Sequence, residues 1–583
     1  MTTESPARPA RETSRPGQPA GSRPWVPRVA GLLTYGAGLL DLASALTPAE
    51  HGRVKELTTY VPGAFTHAAA AATVVSGLLL LMLAHSLRRR KRRAWRAVVA
   101  LLGASVALHV VKGLDVEEAV VAAVVLVGLV VYRDEFRAKG DPRTRWRALG
   151  TGLLLVCVSF VIGVVLVVVE RGDLAGSPGV VDVFHHIAVG LVGVHGPLRF
   201  DVPDGRADGI LSDTLLALGV LTALTVAYLA LRTQEPRPYL TTEDERRLRD
   251  LLAKQGARDS LGYFALRRDK SLVWSPTGKA AVAYRVVSGV LLASGDPLGD
   301  PEAWPGAIKE TLALAEDHAW VPAVVGCSEQ GGAAWVRAGL TALEIGDEAV
   351  VDVEDFTLEG RAMRNVRQCV VHVEREGYTA SVRRTRDIPA EELTAVCNAT
   401  SAWRGAETER GFSMALGRIG DPADPDAVLV TSHEDGVLRG FLHFVPWGTD
   451  GLSLDVMRRA RDADRGLNEF LIVEALRAAP GLGVHRISLN FAVFRSALER
   501  GERLGAGPIL RLWRSVLLFA SRWFQIETLY RFNAKFRPVW EPRYVCFPSV
   551  RDVPRIAVAA LEAEAFIVWP TRWLRRLPFA PVG

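Results

Sequence analysis

Cysteine is scarce in this 583-residue chain: Cys157, Cys327, Cys369, Cys397 and Cys546 stand apart, with no C-x-x-C pair among them. That spacing offers neither a zinc site nor a disulfide framework, and a reduced compartment is the natural reading. Lysine is rarer than the cationic content suggests, with nine lysines against 61 arginines and only Lys535 after Lys309. An ammonium kept where the chain otherwise uses guanidinium marks Lys535 as a place that wants a compact point charge, chance being the alternative. The first 24 residues, rich in Pro, Arg, Ser and Gly, lack the apolar core and small-residue cleavage site of a secretory signal. They bury little apolar surface and are read as a disordered tail.

Long apolar runs, by contrast, fill the chain up to Arg232. They cover Val26 to Thr47, Gly63 to Leu87, Ala94 to Val111, Ala119 to Tyr132, Leu149 to Val169 and Ile210 to Leu231. A span needs about 20 mostly apolar residues, and the fourth run reaches that only with its flanks. Arginines set the orientation: they crowd the N-terminal tail, the loop Arg88 to Arg93 and the loop Arg133 to Arg147, which places all three inside. The loops Pro48 to Pro62, Lys112 to Glu118 and Glu170 to Gly209 then face outward, and six spans return the chain to the cytosol. Asp41, within the first run, is an ionisable group at or near membrane depth. His185 and His186 would point about 100° apart on a helix, a poor metal pair.

Beyond Arg232 the chain reads as alternating strands and helices. Strands are expected at Ser271 to Ser275, Ala280 to Ala293, Val321 to Cys327 and Ala349 to Val353, with helices at Pro305 to His318 and near Ala333 to Ala338. A second set follows: a helix at Ala390 to Ala402, a hairpin of Ala427 to Ser432 and Val437 to Val445 turning at Glu434-Asp435-Gly436, a strand Ser453 to Met457, a helix Asn468 to Ala478 and a strand Arg486 to Phe491. Two α/β units in tandem are implied, with no repeat sharp enough to prove duplication. From Leu510 to Gly583, eleven Arg and one Lys face five carboxylates, a net of +7 against +6 for the whole chain, and Trp513, Trp523, Phe524, Tyr530, Phe532, Trp540, Trp569 and Trp573 interleave with them. Such a mixture suits a phospholipid surface or a nucleic-acid backbone, or else a solvated basic face over a core. Arg511, Arg514 and Arg522 would share one face of an amphipathic helix.

Three segments carry chemistry. They are Ser453-Leu454-Asp455-Val456-Met457-Arg458-Arg459 running on to Asn468 and Glu469, then Ser488-Leu489-Asn490-Phe491-Ala492-Val493-Phe494-Arg495, then Asn533-Ala534-Lys535-Phe536-Arg537 running on to Arg543-Tyr544. With the upstream stretch Phe356 to Gln368, which holds Arg364 and Arg367, this ordered set resembles the C-terminal synthase domain of the multiple peptide resistance factor family, the lysyl-phosphatidylglycerol synthases. The form fused to a lysyl-tRNA synthetase is nearest, and the resemblance covers roughly Ser260 to Tyr544.

The apolar runs give a multi-pass α-helical membrane domain followed by a cytosolic α/β region, and the resemblance implies that this region is two tandem acetyltransferase-like domains. Residues 1–24 would be the tail, 25–232 the membrane domain, 233–385 the first acetyltransferase-like domain and 386–583 the second, with the basic aromatic end. It implies transfer of an aminoacyl group from aminoacyl-tRNA to the glycerol hydroxyl of phosphatidylglycerol at the membrane, lysine being the first guess, with no cofactor and no metal. No synthetase segment follows Gly583 in this sequence, so charged tRNA is expected from a separate enzyme. Oligomeric state is left open.

The chemistry asks for a proton acceptor, an oxyanion partner and a grip on a cationic amino acid. Asp455, Arg458 and Lys535 are the catalytic candidates; Glu469, Asn490, Arg495, Arg543 and Arg367 are the substrate-binding ones. Asp455 and Glu469 suit the amines. Arg458, Arg495, Lys535 and Arg543 suit a phosphate, the tRNA end or the oxyanion. The general base is unassigned, and Asp455 with Arg458 is alternatively a structural ion pair. Two competing readings are a lipid transporter with a regulatory soluble part and an acyl-coenzyme A acetyltransferase. The second lacks its usual Gly-rich turn, since Arg465-Gly466-Leu467-Asn468 departs from it.

Overall fold

The computed structural model describes residues 25–46, 63–111, 116–136, 143–169, 178–194, 196–198, 206–231, 238–404, 411–493 and 526–567, with the single positions 138, 174 and 236. The chain divides into two compact units, one made of Gln18–Glu235 with Glu316–Ala319 and the other chiefly of Pro236–Ala315 and Trp320–Gly583.

The first unit is helical: α1 (Val26–Leu46), α2 (Gly63–Arg88), α3 (Arg92–Val111), α4 (Val116–Val131), α5 (Arg143–Val169), α6 (Val180–Gly190) and α7 (Arg206–Leu231). All six expected runs fall on helices, α1 to α5 and α7. Two of them, Ala148–Val169 and Leu211–Ala230, are by themselves long and apolar enough to cross a membrane; Val74–Arg88, Val120–Val131 and Val180–Gly190 are shorter apolar helices. Apolar side chains point outward as well as inward, with Leu32, Val124, Val161 and Val168 each at least 60% exposed. At about 25 cal/mol per Å² that surface is costly in water and costs nothing in hydrocarbon. Helices α1 and α2 touch backbone to backbone: a Cβ on Gly38 would lie 2.9 Å from the Gly77 carbonyl oxygen, and one on Gly77 2.8 Å from that of Gly38. Small residues at such a crossing substitute close packing for a hydrophobic drive that lipid does not provide. Asp41 is buried at this crossing, next to Gly77. In α6, His186 is buried and His185 exposed, so the two imidazoles do face apart.

The second unit opens with α8 (Thr242–Gln255), where the Thr241 hydroxyl accepts from the Asp244 N–H and three carboxylates occupy the first turn, both favourable at a helix N-terminus. One sheet then runs through the unit: β1 (Ser271–Trp274), β2 (Ala280–Val287), β3 (Val290–Ser294), β4 (Leu298–Gly299), β5 (Val321–Cys327), β6 (Thr341–Asp352), β7 (Thr379–Arg384), β8 (Val428–Glu434), β9 (Val437–Trp447), β10 (Gly451–Arg459), β11 (Arg486–Val493) and β12 (Val539–Phe547). Its order is β1-β2-β3-β5-β12-β6-β11-β10-β9-β8-β7, with β4 beside β2. Helices α9 (Trp304–Asp317), α10 (Glu329–Arg337), α11 (Arg364–Arg375), α12 (Ala390–Arg404), α13 (Leu467–Ala478), α14 (Ile526–Ala534) and α15 (Val553–Ala563) complete it.

Each half of the sheet contains a parallel pair, β3 with β5 and β10 with β11, and each half ends in a strand that crosses to the other. Strand β6 pairs with β11, while β12 slots between β5 and β6. The halves therefore share backbone hydrogen bonds and not merely side chains. In the first half α9 and α10 pack Trp304, Ile308 and Trp335 on Val282, Ala293 and Val324. The opposite face takes Ile556, Ala559 and Ala563 of α15. In the second half α11 and α13 pack Val366, Val370, Leu467, Phe470 and Leu471 on Leu442, Phe444 and Leu454. The other face meets α12 through Val396 and Phe441.

Several expected elements extend or shift. The run Ala280 to Ala293 is a hairpin, turning at Ser288 and Gly289, both at positive φ. The expected boundary between residues 385 and 386 falls inside the second half, because β7 pairs along its whole length with β8 and α11 belongs to the core of α13. The basic positions Arg511, Arg514 and Arg522 and the aromatics Trp513, Trp523, Phe524, Trp569 and Trp573 lie outside the described residues.

Candidate active site

The parallel pair β10–β11 holds together for only three positions, Gly451 opposite Arg486, Leu452 opposite Ile487 and Ser453 opposite Ser488. Past Ser453 and Ser488 both strands bulge, β10 between Leu454 and Val456 and β11 between Ser488 and Phe491, and each continues against its other neighbour alone. A gap opens in the sheet. Bulges commonly re-aim side chains beside active sites, and two candidates sit in these bulges. Asn490 has φ +72°, a left-handed conformation that Asn tolerates better than most residues, and its Nδ2 donates to the Leu454 carbonyl across the gap at 2.9 Å.

Asp455 is the other. The bulge turns it to the same face as His443, and its Oδ2 lies 2.7 Å from His443 Nδ1, while Oδ1 accepts from the Leu416 N–H at 2.8 Å. Neither side chain of the pair is more than 2% exposed. Alternation along β9 explains the placement of the imidazole: Leu442 and Phe444 face α13, so His443 shares the opposite face with Phe441 and Val445. With Asp455 holding Nδ1, the free tautomer leaves a lone pair on Nε2. That nitrogen is buried and has no hydrogen-bond partner among the described residues. His443 escaped the sequence reading, which saw only an apolar hairpin strand; a histidine between Leu442 and Phe444 was the one visible signal.

A second constellation lies on the α13 face. Lys535, just past α14, places Nζ 2.7 Å from Glu469 Oε1 in the first turn of α13, with the lysine 41% exposed and the glutamate 11%. Lys535 Nζ also stands 5.3 Å from the centre of the Phe532 ring. Burial and the neighbouring Glu469 push the Cys369 thiol up from its ordinary value. Gly466 starts α13 at φ +97° with no side-chain cap, and a Cβ there would meet Cys369 Cβ at 2.9 Å, so this entry to the helix requires glycine. Asn533 Nδ2 donates to the Leu489 carbonyl, fastening the end of α14 to β11 beside the gap.

The remaining candidates separate from these two. Arg458 Nη1 donates to the Thr400 carbonyl on α12 at 2.7 Å and is not ion-paired with Asp455, the alternative weighed above; the Asp455 oxygens bond to Leu416 and His443. Arg367 holds the Leu358 and Gly360 carbonyls and shapes the loop before α11. Arg495 lies outside the described residues. Arg543 is 2% exposed and faces inward: it donates to Asp259 Oδ1 at 2.7 Å, to the carboxylate of Glu348 and to Ser260 Oγ. Glu348 in turn accepts from Ser260 and Ser488, and Ser453 donates to the Ser260 carbonyl, so the network sits beneath the last paired residues of β10 and β11. Arg543 thus supports the floor of the gap and does not present a guanidinium to solvent.

The first half offers the equivalent place in closed form. Strands β3 and β5 stay paired over five positions, and the Gly295 N–H continues the ladder to the Val325 carbonyl. Asp296 then fills the end, accepting from the Ser328 N–H and hydroxyl at the start of α10; burial and the nearby Asp259 push its carboxyl up to about 7. Lys270 is buried under Phe412, donating to Ser294 Oγ at 2.8 Å and the Phe264 carbonyl at 3.0 Å, and burial brings its ammonium down to about 7. Among the described residues no group of three or more His, Cys, Asp or Glu side chains is placed to hold a metal ion.

An apolar helical N-terminal unit followed by an α/β unit with one opened parallel strand pair defines a membrane-associated α/β protein. Residues 249–547 match the family described as phosphatidylglycerol lysyltransferase, C-terminal, and residues 22–229 match the transmembrane region of lysyl-tRNA synthetase. The chain belongs to the phosphatidylglycerol lysyltransferase C-terminal family, and its N-terminal unit is a transmembrane region. Relatives include the lysylphosphatidylglycerol biosynthesis bifunctional proteins of Rhodococcus jostii, 45% identical over 79% of this chain and 41% of that one, and of Mycobacterium marinum, 49% identical over 64% and 34%. The chain spans about two fifths of the length of these curated relatives or less. A solved structure titled L-PGS from Bacillus licheniformis is similar over 57% of this chain and 99% of its own, at 22% identity and a TM-score of 0.49.

Proposed function

We propose that this protein transfers an aminoacyl group, lysyl in the first instance, from aminoacyl-tRNA to the glycerol hydroxyl of phosphatidylglycerol. The observation that carries the reading is that the family match encloses the whole opened strand pair, with Asp455 and His443 on one face and Glu469 and Lys535 on the other. The names of the relatives point to the same product. The donor ester is already activated, so the site has to accept a proton and stabilise charge. Lys535 is 41% exposed beside Glu469, which supports reading it as a partner for an anionic group such as the lipid phosphate. Glu469 suits the α-amine of the aminoacyl group. The α/β unit is read as two tandem acetyltransferase-like domains. The helical unit is read as six spans with both the N-terminus and the α/β unit in the cytosol, where charged tRNA resides. The product replaces an anionic headgroup by a cationic one and so lowers the attraction of the membrane for cationic peptides.

Lipid mass spectrometry of cells with and without the protein tests this. An aminoacyl-phosphatidylglycerol that appears with the wild type and disappears with Lys535→Ala, at equal protein abundance, is the expected result. Altered lipid asymmetry without a new lipid would instead favour transport, and turnover of labelled acetyl-coenzyme A by the α/β unit would favour an acetyltransferase.

A further inference from the structure

We propose that His443 Nε2 is the general base of this transfer and that Asp455 acts through it as the positioning residue; the inference rests on the function proposed above. Asp455 has been placed by the bulge so that one oxygen is held by a backbone N–H and the other by the imidazole, with its side chain wholly buried. A carboxylate so committed is poorly placed to take a proton from a substrate or to grip its amine. It is well placed to fix the Nδ1–H tautomer of His443 and to stabilise the imidazolium that forms when Nε2 is protonated.

The orphaned Nε2 is the second part of the argument. His443 is 1% exposed, and a buried polar atom without a partner destabilises the fold that holds it. Natural cores seldom leave such a group unmade unless a ligand completes it. His443 pairs across β10 with Val456, one residue past the bulge, so the imidazole stands one strand from the place where β10 and β11 part. A hydroxyl entering that gap would supply the missing donor. Three other buried titratable groups in the unit have partners: Lys270 two acceptors, Arg543 two carboxylates, Asp296 the start of α10.

The step balances without any further reactant. The glycerol oxygen attacks the ester carbonyl carbon of the aminoacyl-tRNA, forming a new C–O bond as its proton passes to Nε2. The tetrahedral intermediate collapses, the C–O bond to the ribose breaks, and the imidazolium returns the proton to the departing ribose oxygen. His443 ends neutral, ready for another turnover.

The test uses the full-length protein in vesicles of phosphatidylglycerol with lysyl-tRNA, measuring labelled lipid formed. His443→Gln is expected to lower kcat by about 10²- to 10⁴-fold with little change in KM for either substrate. Asp455→Asn should fall by a similar factor, and the double variant should fall no further than the worse single one, because the two side chains act as a unit. A merely structural histidine would give additive losses that track the melting temperature. Should His443→Gln melt early, the comparison of Asp455→Asn with the double variant still decides, and additive losses there overturn the inference. A wild type that transfers well beside a His443→Gln variant within threefold of it removes His443 from the chemistry while leaving the function intact. A wild type that makes no aminoacyl lipid overturns both.

Discussion

The two halves of the α/β unit start from the same plan, a parallel strand pair flanked by helices, and treat its end in opposite ways. In the first half β3 and β5 remain paired and Asp296 seals the start of α10. In the second half β10 and β11 separate after three pairs, both strands bulge, and α13 begins at Gly466 with no side-chain cap. Three buried groups illustrate the contrast. Lys270 donates to two acceptors and Asp296 accepts from the Ser328 N–H and hydroxyl, whereas His443 keeps one nitrogen unmet. One half closes the end of its strand pair with polar residues and the other leaves that end open. The lesson is that a repeated architecture does not imply a repeated function, and that the telling quantity is how far each strand pair stays zipped.

That contrast is breakable. The largest expected effect is on activity: Asp455→Asn should cost about 10²- to 10⁴-fold in aminoacyl transfer with the melting temperature little changed, while Asp296→Asn, its counterpart in the closed half, should leave transfer within about threefold. Equal losses in the two variants would erase the distinction. Arg543→Met comes next, because it strands the carboxylates of Asp259 and Glu348 in the interior; about 3–5 kcal/mol of stability should be lost, seen as a lower denaturant midpoint.

Lys270 gives a smaller effect with a definite sign. Its folded ammonium titrates near 7 instead of 10.5, so between those values the unfolded chain binds the extra proton. Stability should therefore rise as pH goes from about 7 towards 10, and Lys270→Met should flatten that rise in thermal melts. Asp296 works the other way: a carboxyl raised from 3.8 to about 7 holds its proton in the folded state over that window, so stability falls as pH rises through it, and Asp296→Asn should remove the fall. Least of all, Lys535→Ala should cost only about 0.2–1 kcal/mol of stability, since its ion pair is partly solvated, despite its loss of transfer.

Much of this fold was legible because its strands and helices are buried on predictable faces. The apolar run Val321–Cys327 is a strand with the expected bounds, and the hairpin around Glu434-Asp435-Gly436 turns where expected. Strand β12 was not read as a strand, for Trp540-Glu541-Pro542-Arg543 looks like a solvated loop. What buries Arg543 is Asp259 and Glu348, 284 and 195 residues earlier in the chain, and no local pattern can announce a partner so distant. The pairing of Glu469 with Lys535 was likewise invisible, although each had been singled out. Asp455 was found through its motif but its role was not, since that depends on which strand lies beside the bulge.

The position of β12 also has a bearing on how the protein is made. A ribosome releases Val321–Cys327 and Thr341–Asp352 some two hundred residues before the strand that must lie between them, Val539–Phe547, has emerged. Until then β5 and β6 carry open edges of the kind that invites mispairing with another nascent chain. Completion of the sheet is a last act of synthesis, so a product truncated ahead of residue 539 should be cleared as misfolded protein and not persist as a shorter domain.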